Sequence, residues 1–189
     1  MARPRILGGS ARGMPLDTPR RGTRPSPSRL REALFDALQF RERGPFLDLY
    51  AGSGAVGLEA ASRGWPATLV ERDRRAAAVL RGNARRLPLA ADAEVVEDDA
   101  LRVAAARRGR YDIVFAAPPY PLDLASTFAR IVDAGPAGPG GLYLFQHPAS
   151  LDLAGELTAR GTARAEVSAA RTKRYGSNAV TRLAAASYG

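Results

Sequence analysis

The chain predicts an α/β protein on a mostly parallel sheet, and three features carry that expectation. Strand-like apolar runs alternate with helix-length stretches from residue 46 to residue 145. The first run, "FLDLYA", is apolar throughout except for Asp48, as a strand buried on both faces requires. The tail then changes to two neighbouring extended segments, the mark of an antiparallel pair finishing the sheet. Alternation at these lengths implies right-handed crossovers with helices covering both faces.

Each element follows in order. Arg5 to Leu16 reads as two short extended pieces, with Gly8 and Gly9 or Gly13 supplying flexible backbone. Pro15, Pro19, Pro25 and Pro27 then forbid a long helix, so residues 1–25 form a basic arm or small hairpin and residues 26–189 the main domain. Ser26 is placed as a helix cap with Pro27 at the first helical position, and Leu30, Leu34 and Leu38 share one face of the helix that follows. After the strand "FLDLYA" come a helix over Ala55 to Ser62 closed by Gly64, the strand "ATLV", and a helix capped by Asp73 and running to about Arg86. The strand "AEVV", a helix over Ala100 to Arg108, a strand over Tyr111 to Ala116, a helix over Leu122 to Ala134 and the strand "LYLF" complete the alternation. The final pair is expected over Thr162 to Ala170 and Asn178 to Ser187, joined through Tyr175, Gly176 and Ser177.

Composition narrows the function. At 189 residues and 46% hydrophobic content the chain can bury one substantial core. No apolar run reaches the roughly 18 residues that cross a bilayer, and the basic start leads into glycines, which points to the cytoplasm. With no cysteine and His147 as the sole histidine, metal and thiol chemistry are not expected. The net charge of +9 favours a polyanionic partner, the alternative being that GC-rich coding alone produces this arginine-, alanine-, glycine- and proline-rich composition without a binding role. Arg3, Arg5, Arg12, Arg20 and Arg21 crowd the arm against a single acid, Asp17, which makes them the candidate contacts for such a partner.

Ligands of open α/β sheets bind beyond the carboxyl ends of the strands. There "AGSGAVG" sets Gly52, Gly54 and Gly57 at the spacing that gives a tight turn, close approach to a ligand and close helix packing. Glu71, after the second strand, can accept both hydroxyls of a ribose, and Asp98 or Asp99, after the third, can accept from an adenine amine. A nucleoside cofactor is expected, leaving a dinucleotide such as NAD and S-adenosylmethionine as candidates. Asp48 is ill suited to a pyrophosphate and well suited to the ammonium of a methionine tail.

The segments "RILGGSARG", "TRPSPSRLREALFDAL", "FLDLYAGSGAVGLEAASRG", "VERD", "DDA" and "YDIVFAAPPY" resemble, in that order, the RsmD family of 16S ribosomal RNA guanine-N2 methyltransferases. The resemblance implies a Rossmann-like class I S-adenosylmethionine-dependent fold: a seven-stranded mostly parallel sheet, a C-terminal antiparallel pair, and an N-terminal arm or β-hairpin that contacts RNA. It implies S-adenosylmethionine held by Asp48, Gly52, Ser53, Gly54, Glu71, Arg72, Asp99 and Ala100, with Arg24, Pro25 and Ser26 helping to close the pocket. It further implies action on 16S rRNA or the small subunit; a monomer is expected, and composition argues against metal and membrane.

The turn Ala117, Pro118, Pro119, Tyr120 is the expected catalytic element. The family pattern carries an acid where this chain has Ala117. Holding an exocyclic amine for methylation needs oriented acceptors: the Pro118 carbonyl, freed by the extended backbone that Pro119 imposes, and a group from the preceding residue. Tyr120 can stack on the flipped base. The Ala117 carbonyl, an ordered water or Asp123 are the candidate substitutes for the missing acid, with a helix-capping role as the alternative for Asp123. His147 and Trp65 are expected to be structural. The rival readings are a DNA adenine-N6 methyltransferase, a catalytically weak rRNA-binding assembly protein and a nicotinamide-dependent oxidoreductase.

Overall fold

The computed structural model describes residues 3–19, 26–120, 122–162, 165–166 and 169–186. It divides into two compact units, Met1–Asp99 and Ala100–Gly189. Its strands form a seven-stranded sheet of order β3-β2-β1-β4-β5-β7-β6.

In the first unit the N-terminal segment is a hairpin, bridged between Arg5 and Pro15 and closed by Ile6 N donating to the Met14 carbonyl at 3.0 Å. It is not a free arm, because Ile6, Ala11 and Leu16 are buried. Helix α1 spans Ser28–Leu38. Pro27, not Ser26, stands at its N-cap, with ψ 144° and its carbonyl accepting from Arg31 N at 3.0 Å. Proline fixes only φ, so the extended ψ of the boundary falls on Pro27 itself and moves the cap one residue on from Ser26. Strand β1 (Phe46–Leu49) pairs in parallel with β2 (Ala67–Val70), and β2 pairs with β3 (Ala93–Val96). Helices α2 (Gly57–Ser62) and α3 (Arg74–Arg86) connect them. The apolar face of α1 presents Phe35 to Phe46, with ring centroids 6.2 Å apart, and Phe46 meets Trp65 edge-on at 6.3 Å. Trp65 is therefore the core residue expected.

In the second unit α4 (Ala100–Ala106) precedes β4 (Tyr111–Ala116), and α5 (Leu124–Ala134) precedes β5 (Ala137–Pro148). Asp123 starts α5 two residues later than the sequence pattern suggests, because its carboxylate accepts from Ser126 N at 3.1 Å. Strands β4 and β5 are parallel. After α6 (Leu153–Ala159) the chain turns antiparallel through β6 (Arg171–Tyr175) and β7 (Asn178–Ala184). The expected strand over Thr162 to Ala170 is corrected to β6; of that stretch, Ala165 makes a single bridge to Ala185. Segment β6 escaped the pattern because Arg171 to Arg174 are all exposed, so no apolar alternation marks it. His147 is buried, donates from Nδ1 to the Pro148 carbonyl at 2.9 Å and accepts at Nε2 from the Thr181 hydroxyl at 2.7 Å. Burial lowers its pKa and keeps it neutral in a structural role.

Candidate active site

At the carboxyl end of β1 the backbone enters a left-handed conformation at Tyr50 (φ 70°) and again at Gly52 (φ 56°) and Gly54 (φ 87°). A tyrosine in that region is strained, and nothing in the sequence marks it. Gly54 has no room for a side chain, since a Cβ there would lie 2.5 Å from Leu80 Cδ1 and 2.6 Å from Leu58 Cδ1. Gly57 likewise lets α2 press on β2, with a Cβ position 2.5 Å from Leu69 Cδ2. The three glycines thus fold the loop tightly onto the sheet, as their spacing suggested.

Asp48 sits beneath this loop and is buried. Its Oδ2 accepts from Gly57 N at 2.8 Å, while Oδ1 has no hydrogen-bond partner. Burial pushes its pKa up to about 7, against the Gly57 hydrogen bond and with a further push from Glu71. A buried carboxylate oxygen left without a partner is what a cationic ligand group would satisfy. Glu71 follows β2 and bridges two loops, with Oε2 accepting from Gly52 N at 3.0 Å and Oε1 from Asp73 N at 2.8 Å. Each of these oxygens keeps a second lone pair for a ligand hydroxyl. Arg72 is exposed between Glu71 and the capping Asp73, whose Oδ1 accepts from Ala76 N. Asp99, half-buried, donates its backbone N–H to the Asp98 carboxylate at 2.7 Å. Donors and acceptors in this unit therefore fit S-adenosylmethionine: an orphaned carboxylate oxygen, a glycine cradle and two further acids at successive strand ends.

Residues outside the sequence reading hold this cradle in place. Buried Asn83 donates from Nδ2 to the Ser53 carbonyl and to the Asp17 carbonyl, both at 2.9 Å. Buried Arg31 donates to the carbonyls of Arg5 at 3.0 Å and Ala55 at 3.3 Å, and pairs with Glu59 at 3.3 Å. Glu59 also accepts from Leu7 N at 2.7 Å and Gly8 N at 2.8 Å. The hairpin and the glycine loop are thereby fastened to one buried ion pair. Asn83, Arg31 and Glu59 look like solvated helix residues by type, and only the fold makes them internal.

Ala117, Pro118, Pro119 and Tyr120 follow β4 in the second unit, with Pro118 buried and Pro119 and Tyr120 exposed. The Pro119 carbonyl accepts from Leu122 N at 3.2 Å. The Tyr120 hydroxyl donates to Asn178 Oδ1, a partner at the start of β7 that the sequence did not single out. Asp123 is occupied in capping α5, which disfavours it as the substitute acid. Ala100 is the buried first residue of α4.

The family model described as "Conserved hypothetical protein 95" matches residues 4–183. The chain belongs to this family, the RsmD family. Ribosomal RNA small subunit methyltransferase D of Escherichia coli K12 is 42% identical over 119 residues, spanning 61% of this chain and 60% of that protein. A hypothetical protein of Thermus thermophilus superposes with a TM-score of 0.80 and 46% identity, covering 94% of this chain and 97% of that one. A Thermus thermophilus 16S rRNA N2-guanine methyltransferase, solved with AdoMet and guanosine, superposes at a TM-score of 0.67 with 25% identity over 86% of this chain and 44% of that one.

Of the RsmD-family arm residues named above, Arg3, Arg5 and Arg12 are exposed. Arg3 pairs with Asp17 at 3.3 Å, and Arg5 donates to the Gly13 carbonyl at 2.7 Å. Arg20, Arg21, Arg24 and Pro25 lie outside the described residues. Ser26 is half-buried, and its carbonyl accepts from Arg31 Nε at 3.3 Å.

Proposed function

We propose that this protein transfers a methyl group from S-adenosylmethionine to the exocyclic N2 amine of a guanine in 16S ribosomal RNA. The observation that carries the reading is the unanswered Oδ1 of buried Asp48 beneath the glycine loop. The family and the relatives support the substrate class. When bound, S-adenosylmethionine supplies an electrophilic methyl on a sulfonium.

The chain's own residues then have separate tasks. Asp48, as the carboxylate, accepts from the ammonium of the cofactor's amino acid end. Backbone at Gly52 and Gly54 approaches the cofactor closely, with Ser53, Arg72 and Ala100 flanking it, and Glu71 accepts from the ribose hydroxyls. Asp99 accepts from the adenine amine. Arg24 and Ser26 help close the cofactor pocket.

On the acceptor side, the guanine amine is a poor nucleophile because its lone pair is delocalised into the base. The Pro118 carbonyl accepts one N–H and holds the amine's orientation, while the Pro119 ring keeps the backbone extended. Tyr120 stacks on the flipped base, and the Asn178 hydrogen bond to its hydroxyl limits how far the ring can swing. No strong base is needed before transfer, because the amine becomes acidic once methylated. Ala117 leaves one acceptor fewer than the family pattern, so transfer is slowed and not abolished. Arg3, Arg5, Arg12, Arg20 and Arg21 meet RNA phosphates.

The test incubates the protein with labelled S-adenosylmethionine and small ribosomal subunits lacking the mark, then maps the modified nucleotide. N2-methylguanine at one position is expected. Absence of label, from protein that S-adenosylhomocysteine stabilises thermally, refutes the reading.

A further inference from the structure

We infer that the β6–β7 hairpin is a second RNA-contacting element, which takes the phosphodiester backbone beside the target guanine; this rests on the methyltransferase reading above. Strand β6 reads Arg171, Thr172, Lys173, Arg174, Tyr175, with its first four residues exposed. Its register with β7 sets Arg171 directly opposite Arg182, Lys173 opposite Val180 and Tyr175 opposite Asn178. Directly opposed residues share a face of an antiparallel pair, so Arg171, Arg182, Lys173, Tyr175 and Asn178 share one face with the buried Val180. The Lys173 ammonium lies 5.7 Å from the centroid of the Tyr175 ring. The row ends at Asn178, whose Oδ1 accepts the hydroxyl of Tyr120 from the base-holding turn. A basic strip thus leads to the residue that holds the acceptor turn.

Two physical points favour an anionic occupant. Like charges directly opposite each other in a sheet destabilise it, and Arg171 and Arg182 are such a pair. Among the described residues no carboxylate forms an ion pair with Arg171, Lys173, Arg174 or Arg182. Charged residues on an edge strand also guard against strand-to-strand aggregation, which would account for β6 alone. It does not account for Arg182, because β7 is paired on both sides, to β5 and to β6. The turn suits a projecting element: Gly176, at φ 63°, takes the first central position of a two-residue hairpin loop. A phosphate chain lying along the strip would satisfy the opposed arginines and bring the adjoining base to Tyr120.

The experiment compares wild type with the triple variant Arg171→Gln, Lys173→Gln, Arg182→Gln in binding unmethylated small subunits across a salt series. Thermal stability and S-adenosylhomocysteine affinity are measured alongside. The variant is expected to bind RNA about tenfold or more weakly, with a log–log salt slope flatter by about one for each cation removed. Its melting temperature is expected to be equal or higher, because the like-charge pair is gone, and its affinity for S-adenosylhomocysteine unchanged. A purely structural role for the strip predicts the reverse, lower stability with unaltered RNA binding. Unaltered affinity and salt slope in the variant, while wild type methylates the subunit, overturn the hairpin assignment alone. A wild type that holds S-adenosylhomocysteine yet neither binds nor methylates the RNA overturns the functional reading and this inference together.

Discussion

Replacing Asp48 by asparagine isolates the electrostatic cost of the cofactor site. The carboxyl has an ordinary value of 3.8 and is pushed up to about 7 in the folded chain, chiefly by burial. Between those values the folded chain keeps a proton that the unfolded chain has released, so each rise in pH favours unfolding. At about 1.36 kcal/mol per pH unit the full penalty is about 4 kcal/mol, reached just above pH 7, and about 3 kcal/mol of it accrues between pH 5 and pH 8. The substituted amide cannot ionise, so the stability of Asp48→Asn relative to wild type should grow by about that amount over the same interval. The packing change of the new amide cancels, because it is the same at every pH. For a chain of this size the relative melting temperature should climb by roughly 6–12 °C from pH 5 to pH 8. Parallel thermal or urea unfolding at four pH values, without cofactor, reads it directly. The same variant should lose affinity for S-adenosylhomocysteine, and wild-type affinity should fall as pH drops below about 7, where the carboxylate takes up its proton. A stability difference that stays flat with pH would mean that Asp48 is not held against its charge, and the argument from its unanswered oxygen would fail.

Two further outcomes follow. Glu59→Gln leaves the Arg31 guanidinium buried without its counter-ion, and should cost about 3–5 kcal/mol in urea unfolding, with faster proteolysis of the N-terminal hairpin; a loss below about 1 kcal/mol contradicts the anchoring role. Ala117→Asp restores an oriented acceptor before the diproline turn and should speed single-turnover methyl transfer by about 2–4 kcal/mol, roughly 30- to 1,000-fold; an unchanged rate would show that position 117 contributes nothing to the step.

The parts of this fold legible in the sequence are those where one physical requirement dominates a short stretch. Strand β1 needs apolar residues on both faces, the glycine loop needs left-handed backbone and no side chains, and Asp73 and Asp123 answer orphan N–H groups three residues on. The misplaced parts are those where tertiary context decides. Strand β6 carries charge at alternate and adjacent positions alike because both its faces meet solvent, whereas the alanine-rich stretch before it looked more strand-like. The buried ion pair of Arg31 and Glu59 lies on helices whose residue types suit a solvated face, and the partnership spans 28 residues of sequence. Tyr50 and Asn178 carry no local signal, since the strain at one and the hydroxyl acceptor at the other exist only once strands have ended where they do.

Burial without a partner separates structural polar groups from functional ones here. Arg31 and Glu59 are both almost fully buried, yet each is answered by the other and by backbone groups of Arg5, Leu7, Gly8 and Ala55, so nothing external is needed to satisfy them. Asp48 is equally buried and half answered; the opposed Arg171 and Arg182 are a different case, exposed and without a carboxylate partner among the described residues, with Arg171 donating to the carbonyls of Ala169 and Ala170. A chain under selection for stability alone would replace Asp48, because a neutral side chain of similar size removes the burial penalty. In the function and the inference proposed above, the Asp48 carboxylate answers an ammonium and the Arg171–Arg182 pair answers phosphates. The two sites therefore make opposite demands on conditions: rising pH strengthens the Asp48 contact as its carboxylate forms, while rising salt weakens the arginine strip and leaves the buried carboxylate largely unscreened.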